Sequence, residues 1–166
     1  DAAGHAGTAG HNGVARAASL AVPEDLVAFN EECERRRWSD GLPLIPPTEE
    51  RVARMLRFCD RPWDRAIAKL PPRWGEATPL RIAANAVMAG CRPEYLPLVM
   101  LALEAMCEEP FNLYGIQATT HPCAPLVIVN GPIARELEIN ASHNAFGPGV
   151  QSNATIGRAI RLALIN

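Results

Sequence analysis

Residues 115–132 read GIQATTHPCAPLVIVNGP, and the apolar run PLVIV at 125–129 carries the strongest fold signal in the chain. A short, continuous run rich in β-branched residues is typical of a strand covered on both faces, as in a parallel or mixed sheet between helices. The preceding segment, LYGIQATT at 113–120, also favours a strand. We therefore expect an α/β fold with a mixed or parallel sheet flanked by helices.

Helical patterns lie on both sides of these two segments. We expect helices within 22–38, 48–59, 78–90, 97–109, 132–137 and 154–166. Thr48 can cap the second helix and Thr78 the third, which Pro79 starts and Gly90 stops. A further short strand is expected over 66–70, before a Pro-Pro turn.

The chain of 166 residues is long enough for one domain. Residues 1–19 are rich in Gly and Ala, so we expect a flexible N-terminal arm followed by a single α/β domain over 20–166. The amphipathic pattern of the last helix runs to the final residue. This predicts that the domain is incomplete without a further chain or C-terminal segment, and that Asn166 is a proteolytic processing point or a truncation.

Composition narrows the class of protein. A formal net charge of -2 gives little of the positive surface that nucleic acids require, and no stretch of 18 apolar residues predicts a membrane span. Five scattered cysteines without a CxxC pair or a signal peptide predict reduced thiols in a cytoplasmic protein. The common signatures GxxxxGK[ST], GxSxG, HExxH and GxGxxG are absent from the sequence.

His121 is the first candidate for chemistry, as an acid/base group or a ligand. It is one of four histidines and follows Gln117, Thr119 and Thr120 at the end of a predicted strand, where polar side chains converge. Cys123 could supply a thiolate, but the intervening proline turns the two side chains apart. A cysteine directly before a buried strand is also more often a packing residue.

The Gly/Asn-rich stretch INASHNAFGPGVQSN at 139–153 is the second candidate. Glycines let the backbone approach a ligand closely, and free amides at the following helix favour an anion. With Asn130 at the end of the apolar run, the substrate-binding residues expected here are Asn144, Gly147, Gly149 and Asn153. The alternative is an Ω-loop capped by Asn153, with a structural role only.

Trp74 and Glu76, in PPRWGEAT at 71–78, are the third candidate. An indole that desolvates a carboxyl group raises its pKa, which suits general acid/base catalysis. Alternatively, Glu76 is a solvated turn residue that stabilises the next helix. A fourth hypothesis is a zinc or copper site built from His121, His143 and either Cys91 or Cys123. This hypothesis is the weakest, because the sequence lacks the ligand spacing of any known metal site.

Four long strings resemble an uncharacterised bacterial family whose genes accompany small thiol or selenol proteins with a UGSC motif. They are DGLPLIPPTEERV at 40–52, LPPRWGEATPLRIAANAVMAGCRPEYLPLV at 70–99, FNLYGIQATTHPCAPLVIVNGPIARELEIN at 111–140 and NATIGRAIRLALIN at 153–166. That motif is similar to the one in the selenol subunit of glycine-reductase-type enzymes, so the resemblance implies a redox or reductive-cleavage partner. It also implies a longer chain, and an Asn cleavage site for which Asn166 is the candidate.

These observations predict an enzyme subunit that binds a small anionic organic substrate and cleaves a carbon–heteroatom bond reductively or lytically. His121 and Glu76 are the expected catalytic groups, and a transition metal or a partner thiol or selenol is expected to assist them. Trp74, Gln117, Thr119 and Thr120 are expected to bind or orient the substrate, together with Asn130 and the residues of the Gly/Asn-rich stretch. The partners expected are the small molecule and a second polypeptide, in an oligomer. Two alternatives stay open: a metal-dependent hydratase or hydrolase, and a non-catalytic subunit of a hetero-oligomer.

Overall fold

The computed structural model describes residues 19–166, so the predicted arm lies outside the described residues except for Ser19. This part of the chain is helix-rich and contains one small sheet. The helices are α1 (Leu26–Arg35), α2 (Glu49–Leu56), α3 (Pro79–Ala89), α4 (Leu96–Met106), α5 (Leu113–Ala118), α6 (Pro132–Glu136) and α7 (Gln151–Ile165). The strands are β1 (Ala68–Leu70) and β2 (Gly75–Ala77), and short 3-10 turns occupy Pro93–Tyr95 and Glu109–Phe111.

The helix boundaries follow from the capping residues that the sequence predicts. The Thr48 hydroxyl accepts a hydrogen bond from the Arg51 amide at 3.4 Å, and the Thr78 hydroxyl does the same for Arg81 at 3.3 Å. Gly90 ends α3 in the left-handed conformation, with φ of 86°. These three helix-boundary predictions are confirmed.

The sheet differs from the expected one. Across residues 19–166 the only sheet is the antiparallel β1–β2 hairpin, in which Ala68 lies opposite Ala77 and Lys69 opposite Glu76. The chain therefore combines helices and strands, but the parallel or mixed sheet is not present in the described residues. Strand β1 begins two residues later than predicted, and its partner β2 was not predicted.

The prediction of a strand over 113–120 is wrong, because this segment forms helix α5. Asn112 adopts the left-handed conformation, which short polar side chains tolerate, and its side-chain oxygen accepts a hydrogen bond from the Gly115 amide at 3.2 Å. The Asn112 cap stabilises the first turn of α5, and this stabilisation exceeds the weak β propensity of residues 113–118. The local hydrogen bond thus decides between two conformations that the side-chain pattern leaves close in energy.

The apolar run 125–129 does not form a hydrogen-bonded strand. Its residues alternate between half-buried and exposed, as the two faces of an extended chain do, and Val127 packs against the core. A strand also needs a neighbour to receive its backbone hydrogen bonds, and no other segment of 19–166 forms backbone hydrogen bonds with this run. The prediction that 126–129 is a core strand is therefore wrong for the described residues.

Helix α3 lies at the centre of the core, where it packs against α2, α4 and, most extensively, α7. Ala83 and Ala86 on α3 and Ala159 on α7 are fully buried, so the backbones of these helices can approach closely. Leu103 of α4 and Leu162 of α7 are also completely buried. Within residues 19–166, no helix combines the length and the apolar character needed to cross a membrane.

An ion pair joins the connector between α1 and α2, residues 36–48, to the final helix, α7. Arg158 donates from Nε and Nη2 to the two carboxylate oxygens of Asp40, at 2.8 and 2.9 Å. The same Nη2 also donates to the carbonyl oxygens of Leu42 and Pro43. Both charged side chains are mostly buried, and the bidentate geometry makes this a strong hydrogen-bonded pair. Because Arg158 holds the carboxylate, the pKa of Asp40 lies below its usual range.

We expect Asp40→Asn to lower the free energy of unfolding by about 2 kcal/mol, between the values typical of exposed and of buried pairs. Since the pKa of Asp40 is lowered by folding, the charge contributes stability above pH 3.8, the ordinary value, and loses it as the pH falls through the folded-state value. The gap between wild type and variant should therefore shrink below about pH 4. Urea unfolding at a series of pH values measures both effects.

The matched control is Glu138→Gln, which removes the exposed ion pair between Glu138 and Arg92. This variant should change the unfolding free energy by less than about 0.5 kcal/mol. Equal losses in the two variants would show that the pairing of Asp40 with Arg158 has no special weight in the fold.

Gly90 has a left-handed backbone, with φ of 86°, at the end of α3, which packs against α4. Gly90→Ala should destabilise the protein by about 1 kcal/mol, because alanine is strained at this φ although its Cβ would meet only ordinary contacts from Ile45 and Thr155. Gly157→Ala, in the interior of α7 with open space around it, should stabilise by about 0.5 to 1 kcal/mol. Thermal unfolding of both variants tests the opposite signs, and two shifts of the same sign would contradict the argument.

Candidate functional site

An open cleft of about 170 Å³ lies between the β1–β2 hairpin and the segment that joins α4 to α5. Two aromatic rings, one lysine, two glutamates and a thiol are among the groups around it. The lining residues are Lys69, Pro71, Trp74, Met106, Cys107, Glu108, Glu109, Asn112, Leu113 and Tyr114. Trp74 is the one sequence-predicted site residue among them.

The hairpin and helix α5 bring the two aromatic rings together. Trp74 occupies the turn between the strands with φ of 57°, a conformation that bulky residues rarely adopt. Tyr114 lies in the first turn of α5, which the Asn112 cap fixes in place. The ring centroids are 6.4 Å apart with an interplanar angle of 25°, and the residues are 59% and 53% exposed. The stacked pair therefore presents a large aromatic surface that is available to a ligand.

The charges around the cleft do not match the anionic substrate expected from the sequence. Lys69, the only lysine in the chain, contributes one positive charge, whereas Glu108 and Glu109 contribute two negative charges. Aromatic faces attract cations, especially alkylated ammonium groups. The arrangement thus suits a small molecule that carries an ammonium group, alone or together with a carboxylate that Lys69 can pair with.

Cys107 contributes a protonated thiol to the cleft. Burial raises the pKa of Cys107, and the neighbouring carboxylates of Glu104 and Glu108 raise it further. The thiol donates a long hydrogen bond of 3.7 Å to the carbonyl oxygen of Lys69, which links α4 to the hairpin. Cys107 is therefore a packing and lining residue rather than an activated nucleophile.

Glu76 does not line the cleft that Trp74 lines. It is exposed on β2, opposite Lys69, and its carbonyl oxygen accepts a hydrogen bond from Arg81 at 2.9 Å. The stacking partner of the Trp74 ring is Tyr114. The general acid/base role of Glu76 stays a prediction, and its exposure agrees with the solvated alternative.

The polar residues 117–121 follow the cleft along the chain but do not line it. Gln117, at the end of α5, accepts a hydrogen bond from Arg161 of α7 at 3.3 Å. The Thr119 hydroxyl accepts one from the His121 amide at 3.2 Å, which tightens the turn. Thr120 and His121 are exposed. Asn130, at the far end of the apolar run, is exposed as well and lies outside the cleft.

The loop 139–153 is held together by its own amide side chains. Asn153 accepts from the Asn140 amide at 2.9 Å and donates to the carbonyl oxygens of Asn140 and Ala145. Asn144 donates to the carbonyl oxygen of Pro148 at 2.9 Å. Because these groups satisfy one another, the geometry agrees with the structural Ω-loop better than with an anion site.

The glycines of this loop have packing roles that the sequence did not indicate. A Cβ at Gly147 would overlap the Asn144 side chain, and Gly149 has a positive φ of 113°. Asn153 lies in the first turn of α7 and not at its cap, which is Val150. Neither glycine lines the cleft, so their predicted ligand contacts stay a prediction.

The three residues of the predicted metal site are not brought together. Within residues 19–166, no group of three or more His, Cys, Asp or Glu side chains is placed to hold a metal ion. His121, Cys123 and His143 are each exposed.

Several residues around the cleft were not predicted. Tyr114 and Asn112 were missed because 113–120 was predicted to be a strand. An asparagine directly before apolar residues such as Leu113 and Tyr114 is a signal for the start of a helix. Glu108 and Glu109 follow the end of α4, and they belong to no sequence motif that indicates a binding site. Lys69 stood out only as the single lysine of the sequence.

Searches against protein-family models, curated proteins and solved structures find no match to this chain. The resemblance noted in the sequence therefore stays a prediction. The candidate site rests on the geometry of the cleft alone.

All five cysteines are free, and their environments predict a clear order of reactivity. Cys123 is exposed and should react first with iodoacetamide at about pH 8. Burial raises the pKa of Cys91 to about 11, so only about one thiol in a thousand is ionised at that pH. Burial also raises the pKa of Cys33. Mass spectrometry of tryptic peptides over time measures the order.

Cys123→Ser is the control for this labelling experiment, and it should remove the fastest phase while leaving the slow phases unchanged. Labelling of Cys91 as fast as Cys123 would contradict the packing of α3 against α7, which encloses the Cys91 thiol beside the Thr155 carbonyl oxygen.

Proposed function

We propose that this chain is the substrate-binding subunit of a hetero-oligomeric enzyme and that the cleft beside Trp74 and Tyr114 holds a small organic molecule. The observation that carries the proposal is the stacked, half-exposed aromatic pair next to the only lysine of the chain. Binding sites are typically aromatic-lined depressions with a few charged groups that orient the ligand. The cleft has both components.

The proposed substrate carries an ammonium group, and a carboxylate on the same molecule would pair with Lys69. This charge pattern replaces the purely anionic substrate expected from the sequence, because two of the three charges around the cleft are negative. The ammonium group would lie against the aromatic faces, where the ring electrons attract it. Glu108 and Glu109 would add to this attraction.

The proposed reaction is reductive or lytic cleavage of a carbon–heteroatom bond, with a second polypeptide supplying the thiol or selenol. Two thiols that become a disulfide release the two electrons that a reductive cleavage consumes. The sequence resemblance to chains encoded beside UGSC-motif proteins supports this division of labour. His121 and Glu76 do not line the cleft, so their acid/base role stays a prediction from the sequence. We place the protein in the cytoplasm, in agreement with its five free thiols.

The second polypeptide would also account for the sheet that the sequence predicts. A strand laid beside residues 125–129 would turn this run into part of a larger sheet flanked by helices, which is the proposed α/β architecture of the assembled protein. A second candidate function, the non-catalytic subunit of a hetero-oligomer, is favoured by the exposed side chains of Leu126 and Ile128.

Binding at the cleft can be tested with three simple probes: trimethylglycine, tetramethylammonium and acetate. We expect trimethylglycine to bind most tightly and acetate least, because the cleft offers aromatic rings, two carboxylates and one lysine. Trp74→Ala should weaken trimethylglycine binding roughly 3- to 30-fold, the range expected for loss of one cation–π contact. NMR titration of the backbone amide signals around the cleft measures the affinities in wild type and variant, and the Trp74 indole N–H signal reports where the probes bind in wild type.

The matched control is Phe146→Ala, which removes an aromatic residue that is 91% exposed on the loop before α7, away from the cleft. This variant should bind the probes as the wild type does. The proposal fails if no probe shifts the Trp74 signal, or if acetate binds as tightly as trimethylglycine. Equal losses in both variants would point to a general effect on stability.

A further inference from the structure

Asn130 differs from every other asparagine that the structure describes. Each of the other seven asparagines in residues 19–166 uses its side chain in a hydrogen bond with a backbone group. The Asn130 side chain is exposed and forms no hydrogen bond with this part of the chain. Since no such bond holds its side-chain amide in place, it can rotate toward the backbone that follows it.

The residue after Asn130 is a glycine whose amide nitrogen is also accessible. Within residues 19–166, no other asparagine precedes a glycine. The Gly131 carbonyl oxygen accepts a hydrogen bond from the Ala134 amide at 3.2 Å, but the Gly131 amide donates none in the described chain. Its φ is 93°, and a Cβ at this position would have no neighbouring heavy atom within 4 Å. The open space and the missing side chain let this nitrogen and the Asn130 side chain approach each other closely.

We propose that Asn130 is a modification site, at which attack by the Gly131 amide nitrogen converts the side chain to aspartate and isoaspartate. The nitrogen loses its proton to solvent and bonds to Cγ of Asn130, and the side-chain nitrogen leaves as ammonia. The product is a cyclic imide, which water then opens. Hydrolysis of the new bond gives aspartate with the original backbone, whereas hydrolysis of the original peptide bond gives isoaspartate. Water is the one co-reactant, and no oxidation or reduction occurs.

Asn153 shows why the other asparagines resist this reaction. Its side chain makes hydrogen bonds with Asn140 and Ala145 of the loop before α7, and these must break before the side chain can turn. The next amide, that of Ala154, donates to the Val150 carbonyl oxygen at 3.1 Å. The Cβ of Ala154 also crowds the approach of the nitrogen, which a glycine does not do.

The reaction changes the charge of the surface around Asn130. Residues 115–134 contain no Asp, Glu, Lys or Arg, so aspartate or isoaspartate at position 130 would be the one charged side chain of this stretch. It would lie at the end of the apolar run 125–129, near Ile128, which is 76% exposed. An uncharged surface thus becomes anionic, and a molecule that contacts it meets a different electrostatic field.

The test is incubation of the full chain at about pH 8, where loss of the amide proton to solvent base is favoured, followed by peptide mapping with mass spectrometry. Asn130 should convert at least about tenfold faster than Asn153, because the hydrogen bonds of Asn153 add to its barrier. Asn130→Gln should abolish the reaction at this position, because glutamine would have to close a larger ring. The variant should fold as wild type does, since the side chain is exposed.

Two further measurements separate the mechanism and the fold from the sequence alone. Passage through the imide produces isoaspartate, which an isoaspartate-specific methyltransferase detects, whereas direct hydrolysis of the amide gives aspartate only. In urea the rate at Asn130 should stay within about threefold of the folded rate, because the site is already open, and the rate at Asn153 should rise. Asn12, in the sequence's other Asn-Gly pair, lies outside the described residues and is followed in its own peptide.

Three results would overturn the proposal. The first is conversion of Asn130 no faster than that of Asn153 in the folded chain. The second is aspartate at position 130 without isoaspartate. The third is a folded rate at Asn130 more than about tenfold below the rate in urea, which would show that the fold closes the site. None of these results depends on ligand binding at the cleft.

Discussion

The ion pair between Asp40 and Arg158 is the constraint on which the arrangement of the helices depends. It joins positions 118 residues apart, so it fixes the connector after α1 against the last helix. The guanidinium also bonds two carbonyl oxygens of the connector, which lacks a regular structure that could satisfy them. With this connector in place, Ile45 donates to the carbonyl oxygen of Met88 at the end of α3. One charged side chain therefore organises the junction between the N-terminal segment and the central helix pair.

The helices were predictable from sequence because their signals are local. Thr48, Thr78 and Gly90 act through hydrogen bonds or backbone conformations within a few residues, and such effects can be recognised without knowledge of the fold. The strands were not predictable in the same way. Residues 125–129 have the composition of a core strand, but pairing depends on a distant segment, and residues 19–166 do not provide one. At 113–118 the Asn112 cap outweighed a weak β preference, so a local signal that was overlooked reversed the prediction.

In the candidate site, too, local features were predictable from the sequence and contacts between distant segments were not. Trp74 was identified because an indole on a turn beside the carboxyl group of Glu76 can form a pocket wall, but its observed partner, Tyr114, comes from a helix forty residues later in the chain. The polar residues around His121 and the Gly/Asn loop attracted attention through composition. In the structure the loop amides bond to one another, and Gln117 bonds to Arg161. Polarity in a sequence indicates a need for hydrogen bonds, and here neighbouring groups of the same chain meet much of that need.

The packing of α3 against α7 has a consequence for synthesis of the protein. Helix α7 is the last element of the described chain, so α3 is synthesised well before α7 emerges from the ribosome. During that interval the apolar face of α3 that includes Ala83 and Ala86 lacks its principal cover. The core therefore cannot be completed until α7 has been synthesised. Until then, the nascent chain exposes apolar surface of the kind that molecular chaperones bind.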